Sequence, residues 1–152
     1  MNEQVARNVV LVRAIETIDL QRAILSDDDR MYASRSAALV CTDGMPAAAQ
    51  RTLLMQLASA GAELQYHGDF DWPGIGIANV VMRQFGAQPW RFGVQDYCAA
   101  TATAGVDRRP LGPATVNAQW DPALTAEMIR CDRAIDEEAV APTLLADLAL
   151  DC

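Results

Sequence analysis

The stretch from His67 to Gly74, which reads H-G-D-F-D-W-P-G, holds the residues best suited to chemistry. Asp69 and Asp71 follow an extended-looking run, and a Pro and a Gly then open a helix-like run from Ile75 to Phe85. Because residues i and i+2 point the same way on a strand, we expect both carboxylates to face one point at the strand's carboxyl end. Such a pair repels unless it shares a proton or a cation, and its oxygens suit Mg²⁺ or Mn²⁺. The alternative interpretation is a solvated acidic turn.

Composition limits the class of protein. The 152 residues fit one domain with a core of its own. No apolar run approaches the ~18 residues of a membrane-spanning helix, and the polar start lacks the layout of a signal peptide. The four cysteines lie far apart without a C-x-x-C pair. We therefore interpret them as reduced thiols of a cytoplasmic protein with no membrane partner.

The charge balance bears on nucleic-acid binding. All twelve basic residues are Arg, and the formal net charge is −8. Because sequence-blind DNA binding depends on basic side chains that neutralise phosphates, this balance argues against tight DNA binding by the chain alone. DNA would have to be reached through a bound metal ion, a local Arg cluster or another polypeptide.

Apolar runs rich in β-forming residues alternate with helical patterns, which indicates a parallel sheet with right-handed crossovers. The predicted fold class is therefore α/β, a Rossmann-like parallel sheet flanked by helices. Gly61 is expected to end the second helix as its C-cap. The predicted strands are Asn8–Ile15, Ala37–Cys41 and Ala62–Tyr66, and the predicted helices are about Ile18–Leu25 and Ala47–Ala60.

Beyond Gly86 the patterns are weaker. Asp121-Pro122 has the N-cap and first-turn chemistry of a helix start. We expect one domain over residues 1–152, with a core at about 8–104 and a helical extension at about 120–151. The predicted elements here are a strand at Gln88–Gly93, a short helix at Val94–Thr101, a loop at Gly105–Gln119, and helices from Asp121 to Cys131 and from Glu137 to Leu150.

Several motifs together resemble a known family. The turn T-D-G-M-P at 42–46 precedes a helix that carries R-T-L-L at 51–54, and the D-x-D-x-x-G pattern ends at Gly74. This combination resembles the toprim domain in the version found in the topoisomerase VI A subunit. The chain is more similar still to the C-terminal domain of JetD-type nuclease subunits of Wadjet anti-plasmid systems. The shared stretches are C-T-D-G-M-P, Y-H-G-D-F-D-W-P-G-I and P-W-R, and the likeness is densest over residues 39–96.

The resemblance implies a toprim fold and DNA cleavage that depends on Mg²⁺ or Mn²⁺, with Asp69 and Asp71 as metal ligands. Toprim domains add a Glu after the first strand as general acid/base or further ligand, and Glu16 is the matching candidate. Relatives have a Glu-Asn-Pro-like turn there, whereas this chain reads I-E-T-I. Asp43 either adds a carboxylate to the metal site or caps the next helix. Glu138 either approaches the site or is a first-turn acid favoured by the helix dipole.

The resemblance also bears on partners. JetD-type proteins carry a substantial region before the toprim part, so we expect cleavage to need an additional domain or other subunits of the defence system. DNA would be bound through the metal and that partner. Self-association into a homodimer is left open.

Two other functions remain open. One is a catalytically inactive toprim-like interaction module that keeps the sheet and serves assembly. The other is a phosphotransferase of the haloacid dehalogenase type, although that family places its D-x-D on the first strand and two predicted strands precede it here. Metallophosphoesterases are excluded because they need several histidines and His67 is the only one. We expect His67 to be structural and Trp72 and Trp90 to be packing residues.

Overall fold

The computed structural model describes residues 9–13, 38–103 and 109–150. Glu16 and the helix predicted at about 18–25 lie outside these residues. The described strands are β1 (Val9–Arg13), β2 (Ala38–Cys41), β3 (Glu63–His67) and β4 (Gln88–Pro89). The described helices are α1 (Ala48–Ser59), α2 (Trp72–Phe85), α3 (Val94–Ala102), α4 (Pro122–Cys131) and α5 (Glu137–Leu150). The fold is thus mixed α/β, as the sequence predicts.

The four strands form one sheet in the order β2-β1-β3-β4. β3 and β4 are parallel, but β1 is antiparallel to both of its neighbours. The expectation of a wholly parallel sheet is therefore wrong for β1. Val9 at the start of β1 pairs with Cys41 and His67, whereas Arg13 at its end pairs with Glu63. The carboxyl end of β1 consequently lies at the edge of the sheet away from Asp69.

The sequence pattern of β1 could not have fixed its direction. An apolar run such as V-V-L-V indicates a strand in the interior of a sheet, and β1 is central, with Val10 and Val12 buried. The same apolar run is expected in a parallel and in an antiparallel strand, because the burial of its side chains does not depend on the direction in which the strand runs. Direction depends on how the chain returns from one strand to the next, and that is a tertiary property.

The helix ends follow local chemistry. α1 begins where the Gln50 side chain accepts a hydrogen bond from the Ala47 N–H (2.7 Å), and it ends before Gly61, whose φ is +87°. Only glycine adopts that conformation without strain. α2 begins at Trp72, three residues before the predicted Ile75, because Asp71 caps it and Pro73 fits its first turn.

The C-terminal helices match their predicted bounds closely, but β4 covers only Gln88–Pro89 of the strand predicted at Gln88–Gly93, because Arg91 leaves the extended conformation (φ +44°). The polypeptide before α4 is tied to the rest of the fold by hydrogen bonds. Asp121 caps α4 by accepting hydrogen bonds from Ala123 and Leu124, and its other oxygen accepts one from Val94 at the start of α3. The buried Asn79 of α2 donates to the Asn117 carbonyl (2.8 Å) and accepts from the Gln119 N–H (3.0 Å). These bonds hold the segment 109–121 in place without a helix or strand of its own.

The core lies between the sheet and the helices that pack on it. α2 packs against β3 and α1, and α3 packs against α4. At its centre is an aromatic cluster in which Phe92 contacts Phe70 (centroids 4.7 Å apart), Tyr66 (6.0 Å) and Trp120 (5.5 Å). Trp72 and Trp90 are buried, as expected of packing residues. Within the described part of the chain, no helix combines the length and apolarity needed to cross a membrane.

Gly74 offers a sharp test of how tightly α2 meets the end of β3. A Cβ on Gly74 would lie 2.2 Å from the Asp69 carbonyl oxygen, whereas a Cβ on Gly76 would meet nothing within 4 Å. Gly74→Ala should therefore destabilise the protein by about 1–3 kcal/mol through overpacking against backbone. Gly76→Ala, in the same helix, should be neutral or stabilise by up to about 1 kcal/mol. Denaturant unfolding of both variants checks this, and equal effects would contradict the close packing.

Candidate functional site

The D-x-D segment is fixed by a short backbone bridge. The Phe70 N–H donates to the Ile135 carbonyl (2.9 Å), and the Ile135 N–H donates back to the Phe70 carbonyl (3.2 Å). Both side chains are buried in the core. Because Asp69 and Asp71 flank Phe70 and α5 begins two residues after Ile135, the bridge brings the acidic pair beside the N-terminus of α5.

Asp69 is half-buried and contacts α5 directly. Its Oδ1 accepts a hydrogen bond from the Glu137 N–H at 2.8 Å. Burial raises the pKa of the Asp69 carboxyl, and although the bond from Glu137 lowers it, the charges of Asp71, Asp136 and Glu138 raise it further. Asp69 is therefore a carboxylate whose ionised form is short of positive partners.

Asp71 has a different environment. Its Oδ1 accepts a hydrogen bond from the Gly74 N–H at 2.7 Å, so it is the N-cap of α2. Its Oδ2 lies 3.7 Å from Nη2 of Arg109. One oxygen of each aspartate in the D-x-D thus accepts a hydrogen bond from a backbone N–H in the first turn of a helix, where the helix dipole favours negative charge.

Arg109 is the cation that sequence reasoning missed. Its Nη2 lies 2.6 Å from Asp136 Oδ1 as well as near Asp71, so it bridges two carboxylates. Burial lowers the pKa of Arg109, but the hydrogen bond to Asp136 and the charges of Asp136, Asp71 and Asp69 raise it overall. Nothing in the sequence signals this contact, because Arg109 lies in a Pro- and Gly-rich stretch far along the chain from the D-x-D.

The other predicted site residues fall in different places. Asp43 is exposed on the turn after β2, at the same edge of the sheet as Asp69, but β1 lies between their strands. Two strand spacings correspond to about 10 Å. Asp43 does not cap α1, whose N-cap is Ala47. Glu138 comes near enough to raise the pKa of Asp69. Glu16 lies outside the described residues.

His67 and Tyr66, at the end of β3, are buried behind the acidic pair. The Nδ1 of His67 is 2.9 Å from the Trp90 carbonyl oxygen, which is the structural role expected for this residue. Burial lowers the pKa of His67 to about 4, so the ring is neutral near pH 7. Burial also raises the pKa of Tyr66, and the charges of Glu137, Asp69 and Asp71 add to the effect.

The acidic pair matches the kind of donor set that a hard divalent cation takes. Mg²⁺ is commonly held through one or two carboxylates, with waters and substrate phosphates completing an octahedron. Asp69 and Asp71 can supply those two, in surroundings with a surplus of negative charge. Among residues 9–13, 38–103 and 109–150, no group of three or more His, Cys, Asp or Glu side chains is arranged to hold a metal.

The raised pKa of the Asp69 carboxyl predicts that the stability of the protein depends on pH. A carboxyl whose pKa is raised in the folded state stabilises the fold most at low pH. This contribution is complete below the ordinary pKa of 3.8 and is lost as the pH rises through the folded-state pKa. Asp69→Asn keeps an acceptor for Glu137 but removes the charge. Without divalent cations, the stability of Asp69→Asn relative to wild type should therefore increase from about pH 3.5 to pH 7. Urea unfolding across this range measures it, with Asp43→Asn on the exposed turn as control. A difference that is flat or falls with pH would refute the assignment.

Comparison with known proteins places the chain in a family. Neither the curated proteins nor the solved structures contain a match. A family model described as "Protein of unknown function C-terminus (DUF2399)" matches residues 2–148, which include every strand and helix described above except the last two residues of α5. The chain therefore belongs to the DUF2399 family of C-terminal domains.

Proposed function

We propose that this chain is the cation-binding domain of a Mg²⁺- or Mn²⁺-dependent DNA-cleaving protein of the toprim type, acting with a further domain or subunit in anti-plasmid defence. The observation that carries the proposal is the paired arrangement of Asp69 and Asp71 at the end of β3. Burial raises the pKa of Asp69, and the charges of Asp71, Asp136 and Glu138 raise it further. A site with this excess of carboxylates gains more from a divalent cation than from a single arginine.

Asp69 and Asp71 would hold the cation, which when bound polarises a phosphodiester and stabilises the leaving oxygen. The Glu137 N–H fixes Asp69 through Oδ1, which leaves Oδ2 as its ligand atom. Asp71 is fixed in the same way through the Gly74 N–H. Both carboxylates are thus oriented by backbone before any ligand arrives, and such preorganisation is what electrostatic catalysis requires.

Arg109 would change partners when the site is loaded. Its contact with Asp71 is long at 3.7 Å, and its side chain is about half exposed (49%). A cation on Asp71 would repel the guanidinium, which is then available to a phosphate of the substrate. Arginine suits this role because its planar donors match phosphate oxygens in pairs.

Two glutamates are candidates for the proton-transfer group. Glu16 is the candidate that the toprim resemblance implies. Because β1 runs antiparallel to β3, its carboxyl end does not adjoin Asp69 as a parallel sheet would require. Glu138, within the described residues, is close enough to influence Asp69 and is the second candidate for general acid/base.

A non-catalytic interaction module is the second candidate function, and a specific observation favours it. Both aspartates already serve as acceptors for helix starts, and Arg109 partly neutralises Asp71 and Asp136. Such a network is what a purely structural acidic turn would need. Cation binding and cleavage therefore have to be tested separately.

Cation binding is the first test. Mg²⁺ or Mn²⁺ should raise the stability of the wild-type chain, by about 2.7 kcal/mol at a hundredfold excess over the dissociation constant. Asp69→Asn combined with Asp71→Asn should abolish this gain while keeping both helix caps, since Asn also caps well. Thermal unfolding with and without metal measures the gain. An undiminished response in the double variant would place the cation elsewhere.

Arg109→Gln refines the same experiment. Removing the guanidinium should tighten Mn²⁺ binding several-fold, because a competing positive charge near Asp71 is lost. Arg83→Gln is the matched control, since Arg83 is exposed in the last turn of α2, about 18 Å farther along that helix than Asp71. Isothermal titration should show tighter binding for Arg109→Gln only. Equal affinities in both variants would mean that Arg109 does not compete with the cation.

Cleavage is the second test. The chain alone should nick supercoiled plasmid slowly or not at all, because its net charge is −8 and phosphate neutralisation is left to a partner. With the products of neighbouring genes added, Mn²⁺-dependent nicking should appear and should be lost in Asp71→Asn. Glu16→Gln and Glu138→Gln identify the acid/base, since the right variant keeps metal binding but loses cleavage. A complete assembly that binds metal and never cuts would establish the interaction module instead.

A further inference from the structure

A second concave site lies toward the C-terminal end of α2, away from the acidic pair. This cleft has a volume of about 300 Å³, at the lower end of the range for ligand sites. Arg83, which lines it, lies about 18 Å farther along α2 than Asp71, so the cleft is separate from the proposed cation site. Its lining combines an aromatic ring, amide groups, a guanidinium and a thioether, and includes Trp120, Asn79, Gln88, Gln119, Arg83 and Met82.

Trp120 presents a held aromatic ring to this cleft. It is only partly buried, unlike Trp72 and Trp90. Its ring stacks on Phe92 (centroids 5.5 Å apart, planes at 19°), and its indole N–H donates to the Phe92 carbonyl at 2.7 Å. These two contacts fix the orientation of the ring, which also lines the cleft. An indole that is held on one side and partly exposed is a surface on which another planar ring can stack.

The amide groups of the cleft are of two kinds. Asn79 is buried and engaged on both sides, since it donates to the Asn117 carbonyl and accepts from the Gln119 N–H. The side chains of Gln88 and Gln119 are exposed. In the described part of the chain, the Gln119 amide makes no hydrogen bond, and the Gln88 amide makes only a long one (3.4 Å) to the Gly86 carbonyl. Each glutamine therefore offers a donor and an acceptor to the edge of a ligand.

The charge of the cleft favours an uncharged ring over a free anion. No described Asp or Glu lines it, and Arg83 has no carboxylate partner among the described residues, unlike Arg91 and Arg130. Arg83 nevertheless lies in the last turn of α2, where the negative end of the helix dipole offsets its charge. The cleft is thus a nearly neutral site with an aromatic wall and hydrogen-bonding groups.

We propose that this cleft binds one unpaired nucleobase of the DNA substrate. The base stacks on Trp120, its edge exchanges hydrogen bonds with Gln119 and Gln88, and the phosphate attached to it contacts Arg83. Unpaired bases are recognised by this combination of an aromatic face and hydrogen bonds to the base edge. A base inside a duplex is excluded, because its faces and its pairing edge are already occupied. The inference rests on the proposed function for the identity of the substrate, but it does not depend on the cation.

A single-stranded DNA hexamer tests the proposal against an abasic hexamer, which carries the same phosphates without bases. Binding is measured in EDTA, so that a cation site does not contribute. The DNA hexamer should quench tryptophan fluorescence saturably, because Trp120 is partly exposed. The abasic hexamer should bind roughly tenfold more weakly, as expected for the loss of one stacked base. A blunt duplex that contains the same sequence should be equally weak.

Gln119→Leu tests the location of the base. It removes the amide but keeps the backbone N–H that donates to Asn79, so binding should weaken several-fold without loss of stability. Gln56→Leu is the matched control, at an exposed position of α1 that does not line the cleft. Asp69→Asn combined with Asp71→Asn should bind the hexamer as wild type does, which separates a failure of this inference from a failure of the cation site.

Four outcomes would overturn the proposal. The abasic hexamer or the duplex could bind as tightly as the DNA hexamer, which would show that no unpaired base is recognised. Undiminished binding in Gln119→Leu would place the base outside the cleft. Loss of binding in the double aspartate variant would place it at the acidic pair. Tighter binding of an RNA hexamer of the same sequence would assign the cleft to RNA.

Discussion

The two backbone hydrogen bonds between Phe70 and Ile135 are the constraint on which the rest of this structure depends. They join the end of β3 to the residues just before α5, two points that are far apart in the sequence. Without them Asp69 could not meet the Glu137 N–H, and Asp136 could not share Arg109 with Asp71. The bridge is stabilised by the core, because the side chains of Phe70 and Ile135 are both buried.

The bridge brings both stabilising and destabilising charges to the acidic pair. Two helix starts and one arginine stabilise the acidic pair, yet Asp136 and Glu138 add negative charge at the same place. The contacts that orient Asp69 and Asp71 as caps are the contacts that would orient them as metal ligands. The same arrangement of side chains is therefore compatible with a metal site and with a structural acidic turn.

The sequence predicts local features well and long-range ones poorly. The bounds of α4 and α5 follow from capping chemistry that is written within a few residues, and Gly61 ends α1 for the same reason. The sequence pattern places the start of α2 three residues late, because it does not show that Asp71 caps the helix. The parallel direction expected for β1 is wrong, because an apolar run carries no information about the strand's orientation. The D-x-D spacing indicated two neighbouring carboxylates, but nothing local could reveal Arg109 or the approach of α5.

Phe70 links the acidic pair to the buried aromatic cluster. Its backbone forms the bridge that sets the acidic pair, while its ring packs against His67 (centroids 6.0 Å apart) and Tyr97 (5.4 Å). Cores are close-packed, so a ring cannot shift far without moving the backbone that carries it. The spacing of Asp69 and Asp71 is thus mechanically tied to the packing of the aromatic rings around His67.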